Sequence, residues 1–372
     1  MPLDRASALV RPRGSSGTLG LSLARDTLRS VTNPRGSSHS SMNAPNAPSS
    51  SYADLTPDTV LDALDSVGLR GDGRLLALNS YENRVYQVWM EEGPPVVAKF
   101  YRPARWSSAA ILEEHAFTRE LAEREIPVVT ATPVGGNVLH EFRGFRFAVF
   151  PRRGGRAPEL ESPDTLEWMG RFIGRIHAVG VLRPFCDRPA LDPVSFGEEP
   201  REYLLASGFL PTDLIEPWGR VASLALEGIR RCYDRAGGVQ NLRLHGDCHP
   251  GNVLWTPDGP HFVDFDDSRM GPAVQDLWML LSGDRAAMNG QLTDVLAGYE
   301  DFFEFDPREL LLVEALRTLR MIHHAAWIAR RWNDPAFPVA FPWFSTQTYW
   351  QNQILDLREQ VALMDEPPLS PA

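Results

Sequence analysis

Leu242-Arg243-Leu244-His245-Gly246-Asp247-Cys248-His249-Pro250-Gly251-Asn252-Val253-Leu254-Trp255 sets a dense polar centre between two apolar ends, with Gly or Pro at its bends. Such a centre is costly as plain structure, because polar groups enclosed by apolar segments must find partners or lose hydration. Twelve residues after Asn252, an apolar run ends in three carboxylates, Val263-Asp264-Phe265-Asp266-Asp267. Clustered like charges repel unless a cation sits among them. Amide and carboxylate oxygens suit a hard ion such as Mg2+, which takes one or two carboxylates together with waters and phosphate oxygens.

Upstream, one residue stands out by composition. The chain has 36 arginines and a single lysine, Lys99, within Val96-Val97-Ala98-Lys99-Phe100-Tyr101. A surface charge tolerates Arg, whereas a compact ammonium confined to a site, or one that must lose its proton, does not. An acid five residues before an Asn, an Asp after a following strand and a remote strand lysine are the components of phosphoryl transfer. In that reading Lys99 holds phosphates, Asn252 and Asp264 hold Mg2+, and Asp247 orients and deprotonates the attacking hydroxyl. Each piece is weak alone; their order is the order found in kinases.

Around these motifs the chain divides in two. Thr56 caps a helix with Pro57 at its first position. Arg74–Leu78, Val85–Trp89 and Val96–Tyr101 read as a strand meander, Ser107–Arg124 as a helix and Phe145–Phe150 as a further strand. Pro151-Arg152-Arg153-Gly154-Gly155 then breaks regular structure, which puts a boundary between an N-terminal lobe, 51–150, and a C-terminal lobe, 151–372. In the latter, helices are expected at Pro163–Gly180, Glu216–Cys232 and Arg308–Arg331, around a strand-rich island at Leu242–Asp266. The fold class expected is α+β, a small antiparallel sheet lobe plus a larger helical lobe.

Composition bounds the rest. With 372 residues, 43% apolar, the chain has enough length for about two domains. A net charge of −11 argues against general attraction to nucleic-acid phosphate. The longest apolar run, Leu277–Leu281, is far short of the ~20 residues of a membrane helix, so a soluble protein without a membrane partner is expected. Three scattered cysteines suggest a reducing compartment. Residues 1–50 carry +4 and the remainder −15, with 11 Ser in the former; these 50 residues read as a disordered tail, with Met42 as an alternative start.

The stretch Leu244–Leu254 resembles the catalytic loop of aminoglycoside phosphotransferase-like kinases, which share the bilobal protein-kinase fold. Asn79-Ser80-Tyr81-Glu82-Asn83-Arg84-Val85-Tyr86-Gln87, Val97–Trp106, Ile111–His115, Leu242–His249 and Gly271–Leu281 are similar to the bacterial stress-response kinases of that group. The resemblance runs from about Leu55 to Pro368. It implies a cytoplasmic serine/threonine protein kinase, ATP- and Mg2+-dependent, able to autophosphorylate and acting on a protein partner, expected as a monomer. It further implies Asp247 as catalytic base, Asn252 and Asp264 as metal ligands, Ser80 beside the ATP phosphates, and Lys99 as the phosphate-binding lysine. The carboxylate partner of Lys99 is expected at Glu114, with Glu113 the alternative. Asp276 resembles the buried Asp that braces the catalytic loop.

Departures from ordinary protein kinases are also legible. Asn79–Asn83 contains no glycine, so its backbone cannot hug phosphates as a Gly-rich turn does. Gly246 stands where many protein kinases carry an Arg that answers a phosphorylated activation loop. Only 11 residues separate Asp264 from Asp276; activity without loop phosphorylation in residues 265–275 is expected.

Blander readings apply to the neighbours. His245, Cys248 and His249 are too crowded for a closed zinc shell; His245 is expected to orient the loop and Cys248 to fill space. His249 either touches substrate or bonds backbone. Asp266 is either a second Mg2+ contact or a hydrogen-bond acceptor, and the aromatic tail from Phe337 to Trp350 is expected to pack helices. Two rival functions share this sequence: a small-molecule kinase acting on an amino alcohol or antibiotic, with Glu198-Glu199 as a cation-attracting cluster, and a nucleotide-binding regulator with little catalysis.

Overall fold

Thr56 accepts a hydrogen bond from the Thr59 backbone N–H at 3.2 Å and so caps α1 (Pro57–Asp65). In the computed structural model, which describes residues 52–371, this helix lays Val60, Ala63 and Leu64 on one face of a five-stranded sheet. The tail expected at residues 1–50 and its alternative start lie outside the described residues. The strands are β1 (Gly71–Leu78), β2 (Arg84–Met90), β3 (Val96–Phe100), β4 (His140–Phe142) and β5 (Phe145–Pro151). They are antiparallel in the order β1-β2-β3-β5-β4. β4 was not expected; at three residues it is too short for a period-two pattern to register.

β3 is central and buried on both faces, and alternation decides what each face receives. Ala98 and Phe100 enter the core beneath α1. Lys99, opposite Val85 and Ala148 in register, points the other way, as does Tyr101, towards α2 (Ser108–Glu123). Ser107 caps α2 by accepting the Ala110 N–H. The inner stripe of α2 does not stay with the sheet: Phe117 and Leu121 belong to the core of the large lobe, with Phe117 edge-on to Phe185 and Phe265. The helix is thus a joint between the lobes.

The large lobe consists of α3 (Pro163–Gly180), α4 (Glu199–Ala206), α5 (Ile215–Ala236), α6 (Val274–Trp278), α7 (Arg285–Tyr299), α8 (Val313–Arg330), α9 (Ala336–Ala340) and α10 (Gln347–Asp365). Two small antiparallel ribbons lie between them, β6 (Leu242–Arg243) with β9 (Met270–Gly271) and β7 (Val253–Thr256) with β8 (Gly259–Phe262). The helix expected from Arg308 starts as a 3-10 turn, Pro307–Leu312, before α8. Asp306 caps that turn, and Glu309 is drawn inward to accept the Val274 N–H at 2.8 Å. Phe337, Phe344 and Trp350 are buried among the tail helices. Among the described residues no helix is long and apolar enough to cross a membrane.

α3 and α7 cross at backbone contact. A Cβ on Gly170 would lie 1.9 Å from the Val295 carbonyl oxygen, and one on Gly298 would lie 2.0 Å from that of Glu167. Because the obstacle is backbone, the helices must separate, so Gly170→Ala is expected to cost about 1–3 kcal/mol or more and to lower Tm by several degrees. Gly290→Ala on the same α7 meets nothing within 4 Å and is expected to stabilise slightly. Equal Tm values for the two variants by calorimetry would contradict the close crossing.

Candidate active site

The polar stretch of 244–252 runs from β6 to β7 as a loop pinned from below by Asp276. One carboxylate oxygen of Asp276 accepts the His245 N–H at 2.8 Å and the other the Gly246 N–H at 2.8 Å; His177 Nε2 adds a third contact at 3.1 Å. Burial by itself would raise this carboxyl's pKa, but these donors hold it below the usual carboxylate range. The His245 ring, buried on Phe265, donates from Nε2 to the Val263 carbonyl and accepts the Asp247 N–H at Nδ1. Gly246 has a φ of +86°, and a Cβ there would lie 2.2 Å from the Asp267 carbonyl oxygen. No side chain fits, which is why this position carries no arginine.

Asp247 emerges from this frame half-buried. Asn252 donates from Nδ2 to the Asp247 carbonyl at 2.9 Å, and the same nitrogen lies 3.4 Å from Asp247 Oδ2. The amide nitrogen being engaged, the amide oxygen is the atom left for a ligand. The Val263 N–H donates to the Asn252 carbonyl at 3.0 Å, which brings the residue after Val263, Asp264, alongside Asn252. Asp264 has a left-handed backbone, φ 59° and ψ 60°, an unfavourable state for a residue with a side chain and one found at sites where direction matters. Its carboxylate is 49% exposed and receives Lys99 Nζ on Oδ1 at 2.8 Å.

Lys99 spans the lobes, 2.8 Å from Asp264 and 3.5 Å from Asp266, with its side chain only 9% exposed. Burial favours the neutral amine, yet the carboxylates of Asp264, Asp266 and Glu114 outweigh it and hold the pKa well above the ordinary value, so the group is an ammonium. Glu114 is buried and forms its ion pair with Arg188 at 3.3 Å, while the direct contacts of Lys99 are to the two aspartates. Burial pushes the Glu114 carboxyl up, against the pull of Lys99 and Arg188. Glu113, its neighbour, caps a loop by accepting the backbone N–H groups of Cys186, Asp187 and Arg188. Together with the bonds from Arg188 to the carbonyls of Ala110, Asp266 and Ser268, this fixes α2 to the large lobe.

Asp266 is buried and surrounded by protein donors: Asn83 Nδ2 at 3.1 Å, Arg105 and Lys99. It anchors the glycine-free loop of residues 79–83, in which Ser80 is half-buried. The same loop is held from the far side, with Glu82 bonded to Arg102, Trp327 and Arg331. Arg84 and Arg102 meet Asp334 at 2.9 Å. His249 accepts the Gly251 N–H at 3.0 Å, and Cys248 is buried with its thiol pKa pushed well up by desolvation. Among the described residues no cluster of three or more His, Cys, Asp or Glu suits a metal by itself. The Asn252 amide and the half-exposed Asp264 carboxylate make the smaller oxygen donor set that a hard cation shared with phosphates needs.

One element of the site was not expected. Arg320, His324 and Trp327 of α8 and Arg331, which caps its C-terminus, follow at steps of four, three and four on one side of the helix. Arg320 Nη1 is 2.7 Å from Asp247 Oδ1, while Trp327 and Arg331 bind Glu82. One helix and its C-terminal cap thus link the 244–252 loop to the 79–83 loop.

A sequence profile of the phosphotransferase enzyme family matches residues 74–313. Stress response kinase A of Escherichia coli (strain K12) is 44% identical over 318 residues, covering 86% of this chain and 96% of that protein. The serine/threonine protein kinase RdoA of Salmonella typhimurium (strain LT2) is 43% identical with the same coverage. Two solved structures share the fold: amicoumacin kinase hAmiN in complex with AMP-PNP, Ca2+ and Ami, at TM-score 0.65 and 20% identity, covers 84% of this chain and 95% of its own. The microcompartment-associated aminopropanol kinase has a TM-score of 0.61 and 19% identity, covering 82% and 95%.

Proposed function

This chain belongs to the phosphotransferase enzyme family and to its stress response kinase A branch, and on that footing we propose that it is an ATP- and Mg2+-dependent kinase of protein Ser/Thr hydroxyls, its own included. The observation that carries the reading is the meeting of Lys99, from the small lobe, with Asp264 at 2.8 Å beside the Asp247–Asn252 loop. In this reading Lys99 and Ser80 hold the phosphates, Glu114 supports the Lys99 field from α2, and Asn252 and Asp264 bind the metal. The bound Mg2+ would neutralise charge developing on the transferred group. Asp247 accepts the acceptor hydroxyl's proton, and Asp276 keeps its loop in register. Positioning and electrostatics supply most of the rate. The lobes divide at about Pro151, where the five-stranded sheet ends.

The fixed geometry supports activity without loop phosphorylation. The only hydroxyl in residues 265–275 is Ser268, fully buried. The test is incubation of the purified chain with labelled ATP and Mg2+, offering in turn protein mixtures and a panel of amino alcohols and aminoglycosides. The expected result is label on Ser or Thr of proteins, abolished by EDTA and restored by Mg2+. Label confined to a small molecule would overturn the protein-kinase reading, and absence of any turnover would leave a nucleotide-binding regulator.

A further inference from the structure

The two oxygens of Asp247 face different company. Oδ2 lies towards Asn252, on the side assigned above to metal and nucleotide. Oδ1 receives the guanidinium of Arg320 at 2.7 Å, from α8, which contributes none of the assigned metal ligands. Arg320 is 37% exposed and pairs with Asp247 alone among the ion pairs of the described residues. Asp247 is the more enclosed partner, at 22%, so the guanidinium is the side of the pair that an incoming anion can reach.

The surroundings reinforce the sign. Next along the face, His324 stacks on Trp327 at 5.5 Å; burial, with Arg320 adding to it, lowers its pKa to about 4, so it brings neither a negative charge nor a second cation at neutral pH. His249, 3.6 Å from Asp247 Oδ2, is likewise lowered by burial. Of the Glu198-Glu199 pair that a cationic substrate could use, Glu198 is taken by Arg230 of α5 at 2.7 Å.

We propose that Arg320 is the specificity residue for the acceptor: it binds a carboxylate next to the hydroxyl to be phosphorylated, selecting acidic Ser/Thr peptides and rejecting cationic amino alcohols. The inference rests on the kinase reading above and adds the substrate class. Binding also frees the base, because the substrate carboxylate takes the guanidinium and leaves Oδ1 open. The acceptor oxygen then bonds to the γ-phosphorus of ATP as the bond to the bridging oxygen breaks. The electron pair leaves with ADP and the hydroxyl proton passes to Asp247 Oδ1. A cationic acceptor meets Arg320 as a like charge, which disfavours it relative to an acidic one.

The experiment measures kcat/KM for Ser peptides identical except for Asp/Glu or Lys/Arg flanks, in the intact wild-type chain and in Arg320→Glu, Arg320→Gln and Arg320→Lys. The wild type is expected to favour acidic flanks by roughly tenfold or more. Arg320→Lys keeps the preference, Arg320→Gln levels it and Arg320→Glu inverts it. The readout is the ratio between peptides, which a structural role would not move; should Arg320→Glu fail to fold by circular dichroism, the levelling in Arg320→Gln decides. A wild type indifferent to flank charge, or variants that lose both peptides by one factor, would overturn the role of Arg320 and leave the kinase reading standing. Phosphorylation of no peptide or protein at all would overturn the kinase reading itself.

Discussion

Replacing Asp247 by Asn lowers phosphoryl transfer by about 10²–10⁴-fold, the usual contribution of a positioned general base, while ATP and Mg2+ binding persist. The separation follows from which atoms do what. Asn252 is held by the backbone carbonyl of Asp247, 2.9 Å away, so removing the carboxylate charge leaves the Asn252 amide where it is. The loop is likewise braced through backbone N–H groups of His245 and Gly246, which the substitution does not touch. What changes is the proton acceptor and the partner of Arg320. Transfer rates with nucleotide affinity measured alongside check this; an Asp247→Asn protein with undiminished turnover eliminates Asp247 as the base.

Lys99→Arg is the second large loss. A chain with 36 arginines tolerates guanidinium almost everywhere, yet at this position we expect activity to fall by about 10²-fold, the effect of displacing a reacting group by roughly 1 Å. Lys99 Nζ sits in a closed space, 2.8 Å from Asp264, 3.5 Å from Asp266 and 5.4 Å from the centre of the Tyr101 ring. A planar fork with five donors cannot take the place of a point ammonium there without moving Asp264, and with it the metal side of the site. The charge is preserved, so the loss comes from geometry, and KM for ATP is expected to rise along with the fall in kcat. Wild-type kinetics in Lys99→Arg would show that the single lysine is an accident of composition.

Both substitutions act at positions that the letters alone single out, and that is not chance. An acid-x4-Asn spacing, a carboxylate run and a lone lysine are properties of order and composition, and they survive without coordinates because the chemistry demands residue types at short range. The antiparallel meander and α1 were legible for a similar reason: the Thr56 cap with Pro57 behind it, and the Gly93-Pro94-Pro95 turn into the apolar run of β3, are local signals. The anchoring of Glu114 on Arg188 was not, since the two side chains are 74 residues apart and helical spacing shows only which face of α2 is inward. Asp266 illustrates the same limit. Its letter admitted a metal ligand or a hydrogen-bond acceptor, and only the crowd of Asn83, Arg105 and Lys99 around it favours the acceptor.

What the sequence by itself determined is the two kinds of lobe and the set of groups proposed for phosphoryl transfer, because both depend on local pattern. What tertiary structure alone decided is who faces whom. The approach of α8 to both the 244–252 loop and the 79–83 loop sets Arg320 on Asp247 and Arg331 on Glu82. In sequence those residues of α8 and its C-terminal cap look like an ordinary half-solvated helix face, and charge pairing across such distances leaves no periodicity to read. The physical reason is that electrostatic partnership falls off with separation in space and is blind to separation along the chain.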